Sequence, residues 1–173
     1  EFGNQYIRFF KDKGQITESN KTITAITAAN PAVVTSNSHG YSNGDFVIIT
    51  GVVGMTQVNG KTFKVADKTT NTFELQDVDG NDINSSAYTA YSSGGVANKI
   101  YQITTSYTTA QLFDLKFAQS ADVLYITHNS HEVSKLSRTG HTSWSLDEIE
   151  FTDGPYLSAN ATATTMTPGA TSG

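Results

Sequence analysis

Between Phe117 and Tyr156 the sequence FAQSADVLYITHNSHEVSKLSRTGHTSWSLDEIEFTDGPY runs strand, turn, strand, turn, strand around the chain's single tryptophan. Period-two alternation puts Val123, Tyr125 and Thr127 on one face and Leu124 and Ile126 on the other, which predicts a strand inside a sheet covered on both sides. Asn129 and Ser130 end that run. Lys135 to Thr139 reads as a short second strand with Leu136 inward, Gly140 and His141 form the next turn, and a third strand starts at Trp144. Trp144 and Leu146 share a face while Ile149 and Phe151 lie out of phase with them, so a bulge is expected at Asp147 and Glu148. Asp153, Gly154 and Pro155 stop the strand, the glycine by its backbone freedom and the proline by its missing donor. Three short antiparallel strands with one aromatic anchor do not bury themselves, and the stretch therefore reads as one layer or blade of something larger.

The rest of the chain is consistent with an all-β fold. Thr, Ser, Asn and Gly are abundant and good helix formers scarce. With no cysteine, disulfides and thiolate metal sites are excluded, and no apolar run is long enough to span a membrane as a helix. The net charge of −5 is spread over the chain, the opposite of the basic footprint that phosphate neutralisation requires. DNA is expected to pass without specific binding. The chain starts at Glu1 without methionine and ends in a small-residue tail, and so reads as part of a longer polypeptide.

Glu1 to Ile16 alternates Phe2, Tyr6 and Phe9 or Phe10 and reads as a hairpin turning at Lys11 to Gly14, with Asp12 and Gly14 as turn residues. From Thr22 the composition shifts. Ile23–Ile26, Val33–Val34, Phe46–Thr50, Lys61–Ala66, Thr72–Gln76 and Tyr88–Tyr91 are candidate strands, and Asn43-Gly44, Asn59-Gly60 and Gly94-Gly95 are candidate turns. The clearest hairpin pairs Phe63 and Val65 with Phe73 and Leu75. Residues 22–95 thus predict a small β-barrel, inserted into a discontinuous sheet domain of residues 1–21 and 96–158; residues 159–173 read as a flexible or truncated tail. Thr108 caps one short helix near 108–117, with Leu112 and Leu115 at spacing three.

Each candidate chemical site has a simpler account. His39, His128, His131 and His141 lack a metal-ligand pattern and read as turn or surface residues. Asp77, Asp79, Asn81 and Asp82 resemble the start of a calcium loop, yet Asp82 and Tyr88 stand where glycine and glutamate are required, leaving a solvated turn. Asp147, Glu148 and Glu150 could work on a glycan as paired carboxylates, but an exposed strand face accounts for them. Arg138 is expected to pair with a carboxylate or stack on Trp144. Asn20, Asn84 and Asn160 begin N-x-Ser/Thr triplets that carry little weight at this Ser and Thr content. No catalytic residue, cofactor or metal is expected.

The words EFGNQYIRFFKDKGQI, ITTSYTTAQLFDLKFAQSADVLYITH and KLSRTGHTSWSLDEIEFTDGPY together resemble bacteriophage and prophage tail proteins of the tail tubular protein B, or nozzle, type. Gln119, Ser120, Asp122, Leu136, Arg138, Gly140, His141 and Trp144 carry the match, and Gly154 and Pro155 close the last word. Ser106 departs from the family's usual proline, and Glu132-Val133 replaces a proline-containing turn. His39-Gly40, Asn43-Gly44-Asp45, Asn59-Gly60 and Asn71 to Leu75 resemble the barrel named after the first catalytic cysteine half of ubiquitin-activating enzymes, without a cysteine for thioester chemistry. The tail resemblance implies a β-propeller-like platform in a ring, commonly a hexamer, through which DNA passes. It implies other tail proteins and copies of the chain as partners. It also implies a place in the virion tail, after assembly in the host bacterial cytoplasm. The expected function is therefore structural. The alternatives are a receptor- or carbohydrate-binding module displaying Tyr41, Tyr88 and Tyr91 toward host-surface glycan, and glycan cleavage by Asp147 and Glu148.

Overall fold

The computed structural model describes residues 1–151 and Gly154. In chain order its strands are β1 (Phe2–Gly3), β2 (Tyr6–Arg8), β3 (Phe10–Lys11), β4 (Gly14–Gln15), β5 (Thr17–Thr22), β6 (Ala25–Ile26), β7 (Val33–Thr35) and β8 (Phe46–Val53). There follow β9 (Lys61–Ala66), β10 (Thr72–Gln76), β11 (Ser93–Ile100), β12 (Gln102–Thr104), β13 (Lys116–Ser120), β14 (Val123–His128), β15 (His131–Gly140) and β16 (Ser143–Glu148). Two 3-10 segments, Thr56–Val58 and Thr109–Asp114, are the helical parts.

The chain is all-β, as its composition predicts. Alternation is clearest in β9 and β10, where Phe63, Val65, Phe73 and Leu75 are buried while Lys64, Glu74 and Gln76 are half-exposed. Leu75 pairs with Val65 in the expected hairpin. These strands sit within a seven-stranded sheet of order β5-β11-β8-β9-β10-β7-β6. Its two edge strands are consecutive in the chain, separated by Ile23 and Thr24 alone. Ile23 donates its N–H to the Gly95 carbonyl and Thr24 to the Thr35 carbonyl, both at 2.9 Å. The sheet therefore curls until one segment borders both edges. The expected barrel is barrel-like rather than a closed ring of ladders, because that segment changes partner between β5 and β6.

Two of the expected features inside this sheet are different. Gly94-Gly95 lies within β11, not in a turn, and Tyr88–Tyr91 is not a strand. Both glycines have positive φ, 71° and 95°, and a Cβ on Gly95 would lie 2.4 Å from Val52 Cγ2. Glycine here lets β11 bend against β8. The rings of Tyr88 and Tyr91 instead lie against the core, and Tyr91 Oη reaches the carbonyls of Ile23 and Gly94.

The buried apolar residues form two clusters. One lies wholly within residues 23–97 and includes Val47, Ile49, Met55, Phe63, Phe73 and Leu75. The other joins Ile7 and Phe9 to Tyr107, Leu115, Ile126 and Leu136, from both sides of the first in sequence. Around it stand the sheets β1-β2-β12 and β13-β14-β15-β16 and the small hairpin β3-β4. That hairpin turns at Asp12 and Lys13, both left-handed at φ 52° and 67°, so Gly14 opens β4 rather than sitting in the turn. The expected helix is a 3-10 segment, in keeping with Leu112 and Leu115 three residues apart, the repeat of that helix. Thr108 donates its N–H to Gln111 Oε1 at 2.9 Å and its hydroxyl to the same atom at 3.0 Å.

In the four-stranded sheet Leu124, Leu136 and Leu146 stand in one cross-strand row. The expected bulge at Asp147 and Glu148 is absent. The register shifts instead between Ile126 and His128 and between Arg138 and Gly140, and β16 ends at Glu148. Cover on both faces is also not observed. Leu124, Ile126, Leu136, Trp144 and Leu146 join the core, whereas on the opposite face Val123 and Tyr125 are half-exposed and Thr127 is exposed. Gly154 is exposed; Asp153, Pro155, Asn160 and the segment 159–173 lie outside the described residues.

Two expected outcomes follow from these packing details. Gly95→Ala meets both the positive φ and the Val52 contact, and chemical denaturation should show a loss of about 2–3 kcal/mol. Tyr41 is 4% exposed and donates its hydroxyl to the Ala97 carbonyl at 2.8 Å. Burial first, then the carboxylates of Asp45 and Glu18, raises its pKa well above the ordinary tyrosine value. The folded state thus holds the proton more tightly than the unfolded chain, so this contribution is complete below about pH 10 and lost as pH rises through the folded pKa. Tyr41→Phe should cost about 1 kcal/mol at pH 7 and flatten the alkaline arm of a stability-against-pH curve.

Candidate functional site

The most elaborate local construction surrounds Trp144 on β16. Its ring stacks on Phe9 with centroids 4.0 Å apart and planes 18° from parallel. Its backbone N–H donates to Tyr101 Oη, and its indole N–H donates to the His141 carbonyl, each at 3.1 Å. Arg138, opposite it on β15, places its guanidinium carbon 5.8 Å from the indole centroid and donates to His141 Nδ1 at 2.8 Å. Gly140 pairs with Ser143 after the register shift, which turns the chain so that the His141 carbonyl faces the indole. Arg138, Gly140, His141 and Trp144 therefore form one clamp. The expected stacking of Arg138 on Trp144 is present in loose form, and among the described residues its short polar contact is His141 rather than a carboxylate.

A cleft of roughly 290 Å³ opens beside this clamp, with Phe9, Leu124, Leu136 and Trp144 as its apolar lining and Gln119, Asp122 and Arg138 also bordering it. Gln119 holds the adjoining turn by donating its side-chain N–H to the Ala121 carbonyl at 3.1 Å. Ser120 pairs with Val123, and Ala121 takes φ 49° between them. Five of the motif residues named from sequence thus converge on one cleft, although Gln119 and Trp144 lie on the two outer strands of the sheet. Ser120, Gly140 and His141 shape the turns at its ends. Gly154 is described only as exposed, and Pro155 lies outside the described residues.

His128 and His131 pair across β14 and β15 with ring centroids 5.1 Å apart, but no group of three or more His, Cys, Asp or Glu side chains able to hold a metal ion occurs among the described residues. His39 is buried rather than superficial: Nδ1 accepts the Tyr41 N–H at 3.0 Å, and Nε2 lies 3.3 Å from the Thr72 carbonyl. The Tyr41 N–H on Nδ1 leaves Nε2 as the ring nitrogen that donates to the Thr72 carbonyl. His131 packs edge-on against Tyr107, and its Nδ1 lies 3.3 Å from Ser106 Oγ. The two departures from the tail-protein pattern, at Ser106 and beside His131, are thus spatial neighbours.

The acidic turn is self-contained. Asp77 accepts the backbone N–H groups of Asp79 and Asn81 and the Asn81 side-chain amide. Those bonds, the Asn81 side chain foremost, lower its pKa. Asp147, Glu148 and Glu150 lie on an exposed edge. Tyr41 faces the core, so the three-tyrosine display for glycan is missing its first ring.

Sequence reading missed Arg8. Only 8% exposed, its guanidinium lies 4.3 Å from the Tyr6 ring centroid and 4.4 Å from that of Phe46, and Nε donates to Gln102 Oε1 at 3.1 Å. Alternation of Tyr6 and Arg8 about Ile7 is the local signal; the contact with Phe46 joins strands far apart in sequence.

A model of the ubiquitin-activating enzyme E1 FCCH domain matches residues 29–100. The matched segment runs from the turn before β7 to the end of β11, and this part of the chain is FCCH-like. The match does not extend to the clamp or cleft. No curated protein matches the chain, and no helix among the described residues is long and apolar enough to cross a membrane.

Because Trp144 is the single tryptophan, its fluorescence reports the clamp directly. Phe9→Ala should shift its emission to longer wavelength and lower stability by about 3 kcal/mol. Trp144→Phe, which keeps a ring but loses the bond to His141, should cost about 1 kcal/mol by thermal or chemical unfolding.

Proposed function

We propose that the chain is a structural segment of a phage or prophage tail protein of the tubular protein B or nozzle type. In this reading residues 1–21 and 96–158 belong to a platform sheet domain, and the FCCH-like stretch is an inserted spacer or decoration. The observation that carries the reading is the clamp. Residues quoted from separate tail-protein words meet around Trp144 and the adjoining cleft, where stacking and turn formation account for them. Motif residues committed to packing fit a part whose purpose is shape.

Charge supports the same reading. A chain of net charge −5, repeated in a ring with other tail proteins, lines a passage that repels DNA instead of holding it. Location in the virion tail, after assembly in the bacterial cytoplasm, belongs to this proposal. Crosslinking mass spectrometry on DNA-filled particles made by the encoding genome should recover the chain in the tail, linked to other tail proteins and to further copies. Its absence from such particles, with the protein abundant in the same lysate, would overturn the reading.

A further inference from the structure

We propose that the cleft beside Trp144 binds a free α-amino acid with an apolar side chain, its ammonium at Asp122, its carboxylate at Arg138 and its side chain on the apolar floor. β14 and β15 bring the two charges together. Val123 faces Ser137 in their ladder, so Asp122, just before Val123, and Arg138, just after Ser137, are the next positions along. Period two puts both on the face that carries Leu124 and Leu136, and both border the cleft. Facing positions on neighbouring strands hold their Cβ atoms about 5 Å apart, yet among the described residues neither side chain belongs to an ion pair. Arg138 donates instead to His141 Nδ1 at 2.8 Å, which occupies only part of its guanidinium. An acid and a base therefore stand side by side at the cleft with their charges uncompensated.

Size and lining select the ligand. At roughly 290 Å³ the cleft falls just below the range of about 300–1,000 Å³ usual for small-molecule sites, which suits a single amino acid better than a larger cofactor. Phe9, Leu124, Leu136 and Trp144 make its interior apolar, so the body of the ligand must be apolar too. Two opposite charges side by side call for two opposite charges side by side on the ligand, as on the α-carbon of an amino acid. A zwitterion charged at the two ends of a long chain cannot meet both. Gln119 donates its amide to the Ala121 carbonyl, and its Oε1 is a second acceptor for an ammonium held at Asp122. Glu1 and Arg8 also border the cleft, but Glu1 accepts the Tyr6 hydroxyl at 3.5 Å and the Arg8 guanidinium is held by the Tyr6 and Phe46 rings and Gln102. The site does not rest on the tail reading, since it belongs to one folded chain.

Trp144 lines the cleft and is the single tryptophan, so its emission, together with amide NMR shifts, reads a titration of the unmodified chain with L-leucine or L-phenylalanine. Saturation with a dissociation constant on the order of 1 mM is expected, because Asp122 and Arg138 are exposed and exposed charge pairs are weak. ε-Aminocaproate, an isomer of leucine with its charges at opposite ends, should bind about fivefold more weakly, and glycine, which lacks the apolar body, more weakly still. Asp122→Asn should weaken leucine about fivefold without weakening N-acetylleucine, and Arg138→Gln should weaken leucine about fivefold without weakening leucinamide. Unchanged circular dichroism keeps these comparisons on folded protein. No saturable response to either amino acid, ε-aminocaproate or glycine equal to leucine, or leucine binding indifferent to Asp122→Asn would overturn the proposal. So would equal losses of leucine and N-acetylleucine in Asp122→Asn, the mark of a purely structural effect. Absence of the chain from tails with this binding intact would count against the tail reading alone.

Discussion

The pairing of β5 with β11 is the constraint on which both cores depend. Val96 faces Thr22 and Ile100 faces Thr17 across an antiparallel ladder with one irregularity between Asn98 and Ile100. The chain enters the seven-stranded sheet along one of these strands and leaves along the other. At the exit, Ala97 is buried in the first core, and Tyr101 N–H, immediately after β11, donates to the Ile16 carbonyl. Arg8 reinforces the junction by lying between Tyr6 and Phe46. A nearly buried guanidinium is costly to desolvate; two aromatic faces and the Gln102 carbonyl offset that cost without a carboxylate. Lys99, between Glu18 at 3.6 Å and Asp45 at 3.3 Å, adds partly exposed charge contacts on the same neck.

What is legible in the sequence follows from how local each signal is. β9 and β10 are readable because alternation and a short turn determine their pairing almost unaided. The leucine row through Leu124, Leu136 and Leu146 follows from the same logic, whereas β13 and its turn at Ala121 and Asp122 do not, since the sequence there reads as the end of the short helix and the start of the next strand. Gly94-Gly95 misleads because a glycine pair signals a turn equally well as a bend inside a strand, and the deciding neighbour, Val52, is remote in sequence. Tyr88–Tyr91 has strand-like residues but serves as a lid whose rings pack on the core. The clamp's residues stand out in the sequence, yet its second ring, Phe9, is separated from Phe10 only by seeing that Phe9 is 7% exposed and Phe10 54%.

The clamp also shows why a motif without reactive geometry can be specific. An indole has one donor and two broad faces; here the donor is fixed by the His141 carbonyl and one face by Phe9. Gly140, paired with Ser143 after the register shift, stands where the chain turns to bring this carbonyl round. Arg138 then holds His141 through Nδ1. Each residue constrains the next, so the words in which they occur report a folded unit even though the match to the FCCH domain ends before it.

The four-stranded sheet is finished unequally, and this asymmetry follows from the clamp. Fixing Trp144 brings Tyr101 against the β16 edge and satisfies an outward N–H there. β13, across the sheet, receives no comparable cover among the described residues, and its partner strand β14 presents Val123 and Tyr125 on the face away from the core. A sheet closed at one margin and open at the other cannot extend itself in both directions.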